Sequence, residues 1–377
     1  MNMETDDQLI DYFSKTRKLH PNTKRGYELY IRQYAEFNNM TMTELLQEAE
    51  DEEEAGIRWK HRKLKKRLID FRAYLYENYA YETAKTRFGK LLAFYRHFEI
   101  EIHQLPKIAT INSDKTHMGF KDLPDKDIIK KALKISKPIM RAIILFMSSS
   151  GCARAETLSL TIQHFIDATK EYHNQDDIYK AINLLNSRED VIPTFYLKRP
   201  KTNKFFYTFC SPEATTEIIN YLASRTTKLT PKSELFDVSE QQFILNFKTI
   251  NNKLGLGKLE NGRGKFTSHM LRKFHSTQLW NEQVPKELVD ALQGRGKDQV
   301  HSSYFWENPE KLKEVYVEHL DCLTIYLDVN NLDFKSPEFI ELETENRELK
   351  ENYKLMWDEI NNMKARQDAW ESLKKGD

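Results

Sequence analysis

The sequence predicts a mainly α-helical protein with one small β-hairpin, built as an N-terminal helical bundle, a second mixed domain and a C-terminal helix. Three observations predict it. Apolar residues recur at helical spacing through most of the first hundred residues. Dense β-branched and aromatic runs occur only at 191–198 and 204–209, on either side of a Pro-containing turn. From residue 339 onward, apolar residues repeat at intervals of seven.

Composition sets the bounds. With 377 residues the chain exceeds one small core, so two domains and an extension are expected. An apolar content of 40% and an aromatic content of 12% exclude wholesale disorder. No apolar run is long enough to span a membrane. The N-terminal residues, Met1 to Asp7, lack the basic and apolar regions of a secretory leader. Cys152, Cys210 and Cys322 lie far apart and make neither a disulfide framework nor a metal-ligand cluster, which points to a reducing cytoplasm. The net charge of +1 hides a segregated distribution. Residues 58–105 carry twelve Lys/Arg against five Asp/Glu, whereas 336–377 carry seven against eleven. Segregation of this kind can hide a basic face inside a neutral total.

Along the chain, residues 1–98 read as five helices. Asp6–Thr16 is short and amphipathic, and a second begins at Asn22 or Thr23 and carries Tyr27, Tyr30, Ile31, Tyr34 and Phe37 at helical spacing. The third, Thr43–Ala55, takes Thr43 as its N-cap and ends in an acidic block. Arg58–Tyr79 opens on Arg58, Lys60, Arg62, Lys63, Lys65, Lys66 and Arg67, and Glu82–Phe98 carries Phe88, Leu91, Leu92 and Tyr95. The aromatic stripes read as core. The basic run reads either as a phosphate-contacting surface or as a solvated face balanced by the acidic block. Residues 99–122 form a linker, 123–330 a second domain and 331–377 an extension. In that extension Leu342, Leu349, Met356, Met363 and Trp370 hold one heptad position, and Asn346 and Gln367 fall on the other. The pattern fits a short coiled coil between subunits, or a single helix folded back on the body.

One constellation in the second domain carries chemistry. Phosphodiester transfer without a metal needs a nucleophile, cations on the non-bridging oxygens, a base, and an acid for the leaving oxygen. Arg supplies a planar fork of permanent charge, Lys a tunable proton donor, and Tyr a nucleophile whose phosphate ester conserves the bond energy. The sequence offers these in order. Ser150-Gly151-Cys-Ala-Arg154-Ala-Glu156-Thr-Leu158 precedes Arg199-Pro-Lys201-Thr202 on the hairpin. Then come Thr267-Ser-His269-Met-Leu-Arg272, Gly294-Arg295 and Tyr304.

On these motifs the region from Leu123 to Tyr326 resembles the catalytic domain of the tyrosine recombinases, the phage-type integrases. The His269-x-x-Arg272 box matches the family pattern. Arg295 lies 23 residues beyond Arg272, and Tyr304 nine beyond Arg295, both family intervals. The resemblance implies that Arg154 and Arg272 clamp the scissile phosphate and that Lys201 protonates the leaving 5′ oxygen. It further implies that His269 serves as base, that Arg295 donates to a phosphate oxygen, and that Tyr304 forms a 3′-phosphotyrosyl link; no cofactor or metal takes part. Glu156 is expected to support the arginines. Three positions depart from the pattern. Arg295 stands where the family has His or Trp. Arg154 stands three residues after Gly151 rather than two, where this chain has Ala153. Lys198 and Lys204 share the hairpin with Lys201. Tyr316 is a second tyrosine at a longer interval.

By the same resemblance, residues 1–98 are a core-binding domain that clamps duplex DNA. The protein is then a site-specific recombinase or integrase of a mobile or viral element, acting in the cytoplasm at the nucleoid as a homotetramer on its double-stranded recombination site, with self-association through the C-terminal helix. Two other readings remain beside it: a type IB topoisomerase, and a DNA-binding protein of the same fold with impaired catalysis.

Overall fold

The computed structural model describes residues 5–107, 119–259, 262–295 and 308–326, with scattered positions between 345 and 363. The chain forms two compact units, residues 1–117 and 118–377.

In the first unit five helices enclose an aromatic core: α1 (Asp6–Thr16), α2 (Pro21–Asn38), α3 (Met42–Glu54), α4 (Lys63–Asn78) and α5 (Tyr81–His97). Phe13, Tyr34, Phe71, Phe94 and Tyr95 are fully buried, so the aromatic stripes are packing surfaces. Ile100, beyond α5, is buried in the same core. The cap of α3 is Thr41 rather than Thr43. Thr41 and Glu44 form a reciprocal capping box, while the Thr43 hydroxyl donates to Asp6 Oδ1 at 3.1 Å. The expected Arg58–Tyr79 helix is interrupted, because Trp59–His61 forms a 3-10 turn and α4 starts only at Lys63. The reason is tertiary. Buried Glu52 of α3 accepts from the backbone N–H of Lys63 at 2.7 Å and of Leu64 at 3.4 Å, and so supplies the N-terminal cap that α4 lacks locally.

The second unit begins with a 3-10 turn, Phe120–Asp122. Its helices are α6 (Lys126–Lys134), α7 (Pro138–Ser150), α8 (Arg154–Leu158), α9 (Ile162–Ala168), α10 (Lys170–His173) and α11 (Ile178–Leu185). Strands β1 (Thr194–Lys198) and β2 (Phe205–Phe209) follow, then α12 (Pro212–Ala223), α13 (Glu240–Lys253), α14 (Ser268–Asn281), α15 (Lys286–Leu292), α16 (Pro309–Glu318) and α17 (Leu320–Leu323). Helix α7 is the axis. It is buried on all sides from Ala142 to Ser150, as its apolar run Ala142–Met147 requires for the greater part, and α12 and α14 pack against it. The two strands pair antiparallel from Thr194↔Phe209 to Lys198↔Phe205. β1 starts later than expected because Pro193 cannot donate to a ladder, although Val191 and Ile192 are buried.

Of the heptad residues, Leu349, Met356 and Met363 are helical and exposed; Leu342, Asn346, Gln367 and Trp370 lie outside the described residues, as does Tyr304. Among the described residues no helix is long and apolar enough to cross a membrane.

Candidate active site

The site is assembled where the ends of α7 and α15 meet the first turns of α14. Helix α7 stops at Gly151, whose φ of +67° is the left-handed cap conformation. No side chain fits there. A Cβ would lie 2.7 Å from His275 Nδ1 and 2.9 Å from Gln293 Nε2. Helix α15 ends in the same way. The N–H of Gly294 bonds to Ala291 O and that of Arg295 to Asp290 O, both at 2.8 Å, which turns the chain sharply at the helix end. Gly294 has φ +59°, and a Cβ there would meet the Phe206 ring at 2.6 Å. The hairpin therefore rests directly on the Gln293–Gly294 turn.

Arg272 lies at the centre. The i, i+3 spacing from His269 sets both on neighbouring faces of the first turns of α14. Its residue is 5% exposed, and among the described residues its guanidinium is bound only by backbone dipoles. Nη1 donates to Gly151 O and Nη2 to Gln293 O, each at 2.7 Å. Those carbonyls fix the fork without cancelling its charge. Burial pushes the Arg272 pKa down, and the nearby Arg199 and Arg295 guanidiniums add to the effect. Beneath it, Gln293 Nε2 donates to Arg272 O at 3.1 Å and to His275 Nδ1 at 2.9 Å. His275 is wholly buried, and burial, reinforced by Arg272 and Arg295, takes its pKa down to about 3. It is a neutral strut.

His269 sits on the exposed side of the same helix. Partial burial and the surrounding charges of Lys273, Arg263, Arg272 and Arg295 lower its pKa. An imidazole so placed stays neutral and can accept a proton. Arg295 is half-exposed and pairs with Asp290 at 3.1 Å. The structure thus brings His269, Arg272 and Arg295 together.

Two expected members stand apart. Lys201 is exposed at the hairpin tip, as is Lys204, while Lys198 points outward over Phe205 at 5.8 Å. Arg154 opens α8, is 43% exposed, and pairs with Glu240 of α13 at 2.8 Å. Tyr316 is fully buried against Phe209, and its hydroxyl donates to Ser149 O at 3.0 Å. That makes it a packing tyrosine, unavailable to a ligand.

Three residues that the motifs did not single out complete the cluster: Arg199, His275 and Gln293. Arg199 Nη1 donates to Gly294 O at 2.8 Å and its Nε lies 3.3 Å from Glu156 Oε1. Glu156, only 3% exposed, is therefore the support of an arginine, but of Arg199. Among the described residues no three His, Cys, Asp or Glu side chains gather as metal ligands would.

No protein-family model matches the sequence, and no curated protein matches it. Solved structures do. The chain is similar to the XerH site-specific recombinase bound to its difH substrate before cleavage, with a TM-score of 0.50 and 17% identity over 82% of this chain and 83% of that one. It is likewise similar to the Tn1549 transposon integrase in complex with transposon right end DNA, with a TM-score of 0.51 and 12% identity over 83% of this chain and 98% of that one. The same integrase in complex with circular intermediate DNA gives a TM-score of 0.51 at 14% identity. The fold is that of the tyrosine recombinases.

Proposed function

We propose that the protein cuts and rejoins DNA strands through a 3′-phosphotyrosyl intermediate, as a site-specific recombinase or integrase. The observation that carries this reading is Arg272, a buried guanidinium held by two carbonyls at the centre of a cationic site. A cation desolvated at such cost, and bonded to no carboxylate among the described residues, is suited to an anion.

In this mechanism Arg272 and Arg295 hold the non-bridging oxygens of the scissile phosphate. Tyr304 Oη forms a bond to phosphorus while the bond from phosphorus to the 5′ oxygen breaks. The tyrosine proton passes to His269, whose pKa partial burial and then the surrounding cations lower, and Lys201 gives a proton to the leaving 5′ oxygen. The hairpin tip that carries Lys201 would close on the bound strand. Arg154 joins only by leaving Glu240. Rejoining runs the same steps backward with a 5′ hydroxyl as nucleophile, so no cofactor enters.

The first unit adds sequence-independent phosphate contacts through exposed Arg58, Lys60 and Lys66. Assembly into a tetramer on the DNA would use the exposed heptad face of Leu349, Met356 and Met363.

A nicked duplex, enriched from a random pool by retention on the protein, tests the reading. The expected outcome is a protein–DNA adduct that survives detergent and is absent in Tyr304→Phe. Failure of the wild type to form it on any enriched duplex would remove the recombinase and topoisomerase activities together and leave DNA binding alone.

A further inference from the structure

The phosphate site has an uneven pair of arginines. Arg272 is buried and fixed, whereas Arg154, the residue the motif suggests as its partner, is half-exposed and turned to Glu240 of α13. Ala153 stands at the position after Gly151 where an arginine would be expected, and it serves as the N-cap residue of α8. A different guanidinium occupies the space beside Arg272.

That guanidinium is Arg199, and the strand pattern explains how it arrives. Phe195 and Leu197 point into the core while Tyr196 and Lys198 point out. The alternation continues by one residue past the strand, because the N–H of Arg199 still pairs with Lys204 O at 2.8 Å. Arg199 is thereby turned inward, beside Phe206, which packs on Gly294. Its Nη1 binds the carbonyl of Gly294 at 2.8 Å, and Arg272 Nη2 binds the carbonyl of Gln293 at 2.7 Å. Two guanidiniums thus hold consecutive carbonyls of one turn.

Two guanidiniums, Arg199 and Arg272, share this turn with one carboxylate, so the cluster keeps a net positive charge that an anion can meet. Glu156 answers Arg199 on one edge at 3.3 Å, and its Oε2 has no hydrogen-bond partner among the described residues. Arg272, beside them, has no carboxylate bound to it among the described residues. The Nη2 of Arg199 has no partner among the described residues either. We propose that Arg199, delivered by the hairpin and positioned by Glu156, is the second guanidinium that clamps the scissile phosphate, in the place that the motif assigns to Arg154. The proposal rests on the strand-transfer reading above. In it Arg199 donates to a non-bridging oxygen while Tyr304 Oη bonds to phosphorus and the 5′ oxygen leaves with its proton.

The test compares two forms of the enriched nicked duplex, one with an ordinary scissile phosphate and one with a methylphosphonate there, which lacks the anionic oxygen. The variants are Arg199→Ala, Arg154→Ala and Arg199→Ala combined with Glu156→Gln, the last so that no bare carboxylate is left buried. On phosphate the adduct rate of both Arg199 variants should fall about 100-fold or more, the loss typical of one oxyanion donor. On methylphosphonate they should approach the wild-type rate, and Arg154→Ala should lose less than either on phosphate. Wild-type rates for Arg199→Ala on phosphate would overturn the proposal. So would equal losses on both substrates in the double variant, which would make Arg199 only a support of the hairpin. A larger, methylphosphonate-rescued loss in Arg154→Ala would return the role to Arg154. Absence of any wild-type adduct is a separate result, and it takes down strand transfer itself.

Discussion

The two units hold their most buried arginines in different ways. In the N-terminal unit the basic run is answered by carboxylates. Arg67 forms a two-pronged pair with Glu48 at 2.8 and 3.1 Å, Arg62 pairs with Glu53, and Lys63 reaches Glu48. In the second unit Arg272 is answered by two carbonyls, and Arg199 by one carbonyl and one carboxylate. A carboxylate cancels charge; a carbonyl holds the side chain still and leaves the charge in place. The acidic block of α3 therefore builds a fold from arginines, whereas the turn at Gln293–Gly294 builds a site from them.

The sharpest way to break this comparison is Arg272→Lys. The ammonium keeps the positive charge but cannot reach Gly151 O and Gln293 O with a planar fork. If fixed geometry is what the carbonyls supply, the adduct rate falls by about 10²–10³, while binding to the enriched duplex, read by titration, stays close to wild type because charge persists. A lysine variant that cleaves at the wild-type rate would show that charge alone suffices at this position.

Part of this cluster was legible in the sequence, and the part that was not has physical causes. His269, Arg272 and Arg295 were picked out by the resemblance, through the His-x-x-Arg box and the intervals that follow it, and the fold sets them near one another through the first turns of α14 and the glycine-terminated end of α15. Helices α1 and α5 follow apolar periodicity and fall within a residue or so of expectation. Arg199 was hidden because it sits in a turn, where the residue type suggests exposure; only the continued strand alternation and a distant Glu156 turn it inward. The start of α4 was hidden for a related reason. Its cap is Glu52 from another helix, and a window on the local sequence around Lys63 cannot contain it. Between Thr41 and Thr43, the choice of cap fell to which threonine Asp6 engaged.

Acid should separate the two units by the same logic, with a smaller effect. His275 is held at about 3 in the folded protein against an ordinary value of 6.5. Between those values the unfolded chain binds a proton that the folded chain refuses, so stability rises with pH across this window and is lost as pH falls through it. The slope is on the order of 1.4 kcal/mol per pH unit. The N-terminal unit behaves differently. Pairing with Arg67 lowers the Glu48 pKa, and hydrogen bonds from Lys15 and Lys24 hold Asp11 at about 2. Their contribution is complete above the ordinary carboxylate range and is lost only as pH falls through the lowered values. Hydrogen exchange followed from pH 6.5 to 4.5 should show α14 amides losing protection while α3 and α4 amides hold theirs, and His275→Gln should flatten the α14 response. Parallel loss in both units would contradict the assignment.

The smallest expected effect concerns which cations of the basic run meet DNA. Lys66 is exposed, whereas Arg67 is partly buried against Glu48. A cation already matched by a carboxylate releases no counterion when a phosphate approaches, so the two should differ in salt dependence. Replacing Lys66 by Ala should lower the magnitude of the slope of log affinity against log salt by about 0.9, the value for one lost contact on duplex DNA. Replacing Arg67 by Gln should leave that slope where it is and instead lower the urea midpoint, by about 1 kcal/mol equivalent or less for a partly exposed pair. Titrations of the enriched duplex at several salt concentrations decide between them. Equal slope changes in the two variants would mean that Glu48 yields Arg67 to the DNA, and that the acidic block of α3 covers a binding face rather than closing a structural one.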